Sequence, residues 1–292
     1  MTTRAALLPR VPAAGLTNWI LRIGVVMEYV GHGTLGLYQK PIFAKYLALF
    51  GLGAYADILR PLIGAHDCAI ALIVLLVPNR AVLVWAALWG VWTSFLRPLA
   101  GEPWWEFVER SYNFGGPLAL LLLAGPLNQL RDPSSWFGRV REWALPVHTG
   151  TRLVWTLRLV CGSMLIGHGG YCGFMHKDLL MQQWAALGVQ QAPFGMGPIL
   201  DVQGFSEIAL GAMVLLRPSP RLLVLAALWK LWTEAMYPLS GLPAFHPIFE
   251  FVERGGSYAC PLALAFLMAR SPARRTLPTT KPVGRVPEFQ LH

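Results

Sequence analysis

Glu106-Phe107-Val108-Glu109-Arg110 recurs letter for letter at Glu250-Phe251-Val252-Glu253-Arg254. Each copy opens a strongly apolar run, and a proline follows each at the same distance, Pro117 and Pro261. A second phrase is doubled as well, Gly31-His32-Gly33 and Gly167-His168-Gly169. Outward from these phrases, Arg22 aligns with Arg158 and His32 with His168 at an offset of 136. Trp89 aligns with Trp229 and Pro98 with Pro238 at 140, and Glu109 with Glu253 at 144. The offset grows only in loops, as expected of a duplicated four-helix unit.

The composition sets the class. Of 292 residues 55% are hydrophobic and 13% charged, where a soluble domain is about a quarter charged. The mean hydropathy is +0.48. Twelve tryptophans suit aromatic belts at two membrane interfaces. The expectation is therefore an all-α, polytopic membrane protein with the lipid bilayer as its first partner. The net charge of +9 is read as basic cytoplasmic loops and tail rather than as a nucleic-acid surface. Cys68, Cys161, Cys172 and Cys260 form no Cys-x-x-Cys pair and read as small core residues.

In chain order, residues 1–15 form a basic arm, 16–124 a first four-helix membrane repeat, and 125–150 a cytoplasmic linker. Residues 151–269 form the second repeat, and 270–292 a basic, Pro-rich tail. The spans of the first repeat are expected near Leu16–Leu37, Ile58–Val77, Ala81–Leu99 and Glu106–Ala124, with a short interfacial piece at Ile42–Phe50. The stretch Ala5–Leu8 is too short for a signal-peptide core, so the first long apolar run reads as a retained span. Lys and Arg collect in the arm, the turns at Arg80 and Arg217, the linker and the tail. Eight spans with both termini cytoplasmic follow, as two parallel repeats about an axis along the membrane normal.

This orientation brings a polar group of every span toward one outer layer. His32 and His168 end spans one and five. Asp67 and Glu207 start spans two and six, Arg97 and Tyr237 end spans three and seven, and the Glu-Phe-Val-Glu-Arg copies open spans four and eight. Ionisable groups at membrane depth are costly and should face protein or water. His246, Glu250 and Glu253 fall at helical spacing, a pattern that can hold a divalent metal. Competing with that are a proton or quinone site and simple i,i+4 ion pairs of Glu106 with Arg110 and Glu250 with Arg254. Haem between His32 and His168 is set aside, since glycine beside each serves close helix packing. The Trp85, Trp89 and Trp92 stripe reads as packing and interface anchoring. Pro117 and Pro261 leave the carbonyls of Asn113 and Ser257 without their helical donors.

At Arg22 to Lys40 with Asp67 to Arg80, and again at Arg158 to Lys177 with Glu207 to Arg221, the chain resembles the DoxX/DoxD-like membrane family, in a tandem, fused form. The resemblance implies a bacterial cytoplasmic membrane protein, some relatives of which are subunits of quinone-linked oxidoreductases such as thiosulfate:quinone oxidoreductase. The expected function is a redox subunit with a periplasm-facing site, with other redox subunits as partners. His32 and His168 would carry protons, and Glu109 and Glu253 would pair with the histidine of their own repeat. Asp67, Arg97, Glu207 and Tyr237 would contact a quinone or other cofactor. The second half, with His246 alongside, is expected to be the better ligand site, and Gly33 and Gly169 to bring spans one and five together. A small-solute transporter and a non-catalytic structural subunit are the alternatives.

Overall fold

The computed structural model describes residues 13–125, 127–140, 147–189, 195–242 and 245–270. Residues 1–12 of the basic arm and the tail after residue 270 lie outside them. The described residues are all-helical, with one isolated bridge, Asn79 to Arg139, and no strand. The first half runs α1 (Ala13–Leu37), α2 (Ile42–Ala48), α3 (Ala56–Leu76), α4 (Arg80–Leu99), α5 (Trp104–Glu109) and α6 (Ser111–Leu123). The second half repeats the order with α7 (Val147–Met175), α8 (Asp178–Ala186), α9 (Gly197–Leu216), α10 (Pro220–Leu239), α11 (Pro247–Val252) and α12 (Gly255–Arg270).

Local chemistry sets the repeated ends. Asn79 caps α4 by accepting from the Val82 amide at 2.9 Å, and Ser219 caps α10 through the Leu222 amide at 3.3 Å. Arg22 of α1 donates to the Val74 carbonyl at 2.7 Å and to that of Leu75, which satisfies the last turn of α3. Its counterpart Arg158 does the same for the Leu215 carbonyl at the end of α9. The linker folds back on the α3–α4 turn, where the Val140 amide donates to the Pro78 carbonyl at 2.8 Å.

The expected continuous spans four and eight are each broken. The Arg110 amide turns to the Phe107 carbonyl, while its guanidinium takes the Glu106 carbonyl at 3.1 Å. Arg254 does likewise with the Glu250 carbonyl at 2.5 Å. The side chain thus supplies the donor the helix loses, and the chain can bend at the arginine. Of the eight expected crossings, Gly53–Leu76, Arg80–Leu99 and Gly197–Leu216 are long and apolar enough to cross a membrane. By themselves α6 and α12, at 13 and 16 residues, fall short of the about 20 residues a crossing needs.

The halves are interleaved. Helix α1 packs along α3, and α7 along α9, within their own halves. Across the halves α1 packs on α11 and α12, and α7 on α5 and α6. Glycine makes this crossing close. A Cβ on Gly31 would stand 2.3 Å from the Glu253 amide nitrogen, and one on Gly167 2.3 Å from that of Glu109. Gly33 and Gly169 do not join α1 to α7 as expected. A Cβ on Gly33 would meet the Gly64 carbonyl and Cys68, and one on Gly169 the Gly204 carbonyl and Glu207. Both glycines therefore seat the second long helix of their own half.

Candidate functional site: two neutral charge clusters and a histidine beside a cavity

The paired Glu-Phe-Val-Glu-Arg phrases build two buried clusters at one end of the bundle. In the first, Arg97 meets Glu102 at 3.1 Å and Glu106 at 3.3 Å. Arg110 meets Glu106 and, at 2.7 Å, Glu109. Lys177, from the turn after α7, crosses over to Glu106 at 2.9 Å and Glu109 at 3.5 Å. In the second, Lys40 crosses from the first half to Glu250 at 2.6 Å. Arg254 meets Glu250 at 3.2 Å, Glu253 at 2.7 Å and Glu234 at 3.1 Å, and donates to the Tyr237 hydroxyl at 2.7 Å. Lys230, 1% exposed, meets Glu234 at 2.5 Å.

Each cluster holds three cations and three carboxylates. The first uses Arg97 and Glu102 where the second uses Lys230 and Glu234, so unequal residues give equal charge. Burial works against the Lys177 charge, but Glu106 and Glu109 outweigh it and hold the ammonium above its ordinary range. Tyr46 of α2 donates to Glu102 at 2.5 Å, and burial pushes its hydroxyl above the ordinary range.

The histidines pair elsewhere. His32 Nδ1 lies 2.7 Å from Asp67 Oδ2, and His168 Nδ1 2.5 Å from Glu207 Oε2. Neither pairs with the Glu-Phe-Val-Glu-Arg carboxylate of its own half, as the sequence reading had expected. Of the Glu-Phe-Val-Glu-Arg glutamates, Glu253 shares a cavity with His32 and Glu109 shares one with His168. Trp89 Nε1 donates to Asp67 at 2.8 Å, and Trp229 Nε1 to Glu207 at 2.7 Å. Trp85 donates to His66 Nε2 at 2.8 Å, which leaves the hydrogen of His66 on Nδ1, 3.0 Å from Asp67. Asp67 thus accepts from two imidazoles and an indole. An ionised carboxylate only accepts, so His32 carries its hydrogen on Nδ1 and keeps Nε2 free to accept.

The metal reading is not supported. Helix α11 begins at Pro247, and His246 stands before it in a left-handed conformation, φ 51°. Its ring packs on Tyr38, Phe245 and Phe249. Lys40 and Arg254 hold Glu250 and Glu253, and among the described residues no three His, Cys, Asp or Glu side chains are grouped to take a metal.

The cavities make the halves unequal. A cavity of about 230 Å³ is lined by polar His32, Arg60, Thr93 and Arg97 and by Phe43, Trp89 and Trp92 among its apolar walls. His32 also lines a small polar cavity of about 20 Å³ with Glu28, Arg97, Arg110, Asn113 and Glu253. The cavity beside His168 is about 10 Å³. The larger space is therefore in the first half, not beside His246 as expected. Sequence reasoning missed Lys40, Lys177 and Lys230. Lys40 and Lys177 stand at nearly the histidine offset, so their equivalence was visible, but which half they served was not. It also read Trp89 as packing, although its alignment with Trp229 marked a shared hydrogen bond.

Fold and site together define a protein whose described residues are all-helical, with three helices long and apolar enough to cross a membrane and a charge-balanced layer buried at one end. No family model, curated protein or solved structure matches the chain.

Proposed function

We propose that the chain is a multi-pass membrane protein of DoxX-like type that binds a quinone-type ring beside His32 and exchanges a proton with it. The observation that carries this reading is the position of His32. Its Nδ1 is anchored on Asp67 and its ring lies in the wall of an aromatic cavity that also contains Arg97. Anchored in this way, Nε2 can accept a proton from a ring hydroxyl or, once protonated, donate to a ring oxygen. About 230 Å³ is below the usual span for a drug-sized ligand, so the cavity suits a single ring with its tail outside. Outward-facing Leu62, Leu72, Leu88, Leu216 and Leu228 are exposed, which suits a lipid surroundings for the long helices. The eight-span arrangement in a bacterial cytoplasmic membrane, with cytoplasmic termini and a periplasm-facing site, belongs to this proposal. A partner redox subunit then exchanges the electrons.

Titration of the protein in lipid nanodiscs with a short-tailed 1,4-benzoquinone tests it through tryptophan quenching, since Trp89 and Trp92 line the cavity. Wild type is expected to quench saturably. His32→Ala should weaken binding about tenfold, the worth of one good hydrogen bond. Leu96→Phe, which fills the cavity, should leave only the linear quenching of lipid partition. Equal curves for wild type and Leu96→Phe would refute the site. The balance of charge within both clusters favours a second reading, a non-catalytic subunit whose polar layer only holds the helices together. It expects linear quenching throughout.

A further inference from the structure

Glu28 stands one turn before His32 on α1 and is 4% exposed. Its Oε2 has no hydrogen-bond partner among the described residues, and it makes no ion pair there. It lines the small polar cavity, where Glu253 Oε2 and Asn113 Oδ1 are also without partners. The titratable and charged groups around it are His32 on its own helix, Asp67 on α3, Arg97 on α4, Arg110 at the α5–α6 joint, Tyr112 on α6, Glu253 at the α11–α12 joint and Cys260 on α12. The two arginines are already engaged by Glu102, Glu106 and Glu109.

About 20 Å³ is enough for one water, which needs roughly 10–15 Å³ and two or more polar partners. A water donates two hydrogens, and three acceptor oxygens are unfilled. One of them is satisfied if a carboxyl group brings its own hydrogen. Glu253 has Arg254 at 2.7 Å and keeps its charge. Glu28 has neither a cation of its own nor contact with bulk water, and an unpaired buried carboxylate is costly by several kcal/mol. The equivalent position in the second half is Met164, fully buried, so the feature belongs to the half that carries the aromatic cavity.

We infer that Glu28 is a neutral carboxylic acid that exchanges its proton with His32 through a water in this cavity. The step is balanced within the pair. The proton leaves the Glu28 carboxyl, a water proton passes to His32 Nε2, and a carboxylate and an imidazolium replace two neutral groups. Its role as the inner stop for a ligand's proton rests on the reading of the aromatic cavity above, but the state of Glu28 does not.

Infrared spectroscopy of the reconstituted full-length protein near neutral pH tests both parts. Wild type should show a protonated-carboxyl C=O band that shifts in D₂O. The band should be lost in Glu28→Gln and kept in Glu253→Gln. Glu28→Met, which places there the residue of the second half, serves if the glutamine variant does not fold. No such band in wild type, or a band that survives loss of Glu28, overturns the inference. Deuterium exchange of the band should slow at least tenfold in His32→Phe, and an unchanged rate overturns the exchange with His32. If the quinone titration is linear while the Glu28 band is present, only the ligand reading falls.

Discussion

Replacing Lys177 with methionine removes one of three cations from a cluster of three carboxylates. The ammonium lies 2.9 Å from Glu106 and 3.5 Å from Glu109, and the three side chains are 13%, 5% and 9% exposed. Stranding a buried charge costs 3–5 kcal/mol, and Arg97 and Arg110 still face Glu106, so about 3 kcal/mol is expected. Lys177→Met with Glu106→Gln restores neutrality and leaves one amide to be bonded. The double variant should therefore recover about 2 kcal/mol relative to the sum of the singles, within the range for residues in contact. Lys40→Met with Glu106→Gln pairs a residue with the carboxylate of its own half. Lys40 rests on Glu250, so these two should add to within about 0.5 kcal/mol. Unfolding by SDS in mixed micelles, followed by helical circular dichroism, reads all the free energies. A coupling larger for Lys40–Glu106 than for Lys177–Glu106 would refute the interleaving of the halves.

Gly167→Ala and Gly31→Ala should each destabilise by about 1–3 kcal/mol in the same assay, because the new Cβ meets backbone of the other half that cannot give way. Gly150→Ala, where a Cβ meets nothing within 4 Å, should show no such loss. The Lys177 ammonium is held above its ordinary range, so its contribution is full below the unfolded lysine value of about 10.4 and fades as pH rises through the folded one. The stability difference between wild type and Lys177→Met should thus stay constant from neutral pH to about pH 9 and shrink only at higher alkalinity. A decline already near neutral pH would mean that Lys177 lacks its carboxylates. Reporters fused after residue 130 and at the C-terminus should both report cytoplasm, and a periplasmic signal from either would sink the eight-span reading.

The sequence by itself determined the helical class, the duplication and much of the polar layer, though not its lysines Lys40, Lys177 and Lys230. Those follow from local chemistry: apolar runs, the capping residues Asn79 and Ser219, and ionisable groups at matching places in each half. It could not decide which half a group serves. Two copies of Glu-Phe-Val-Glu-Arg offer identical partners, so a lysine from either half fits either cluster on chemistry alone. Packing makes the choice, because Gly31 and Gly167 let each first helix approach the other half's break closely. Helical spacing likewise placed His246 with Glu250, but α11 begins at Pro247, and His246 stands before it in a left-handed conformation with its ring on Tyr38 and Phe245. The partners of His32 and His168 lie 35 and 39 residues away on another helix, a distance no periodicity reports. The cavity beside His32 was hidden for the same reason, since unfilled volume is a property of how helices meet and not of any one of them.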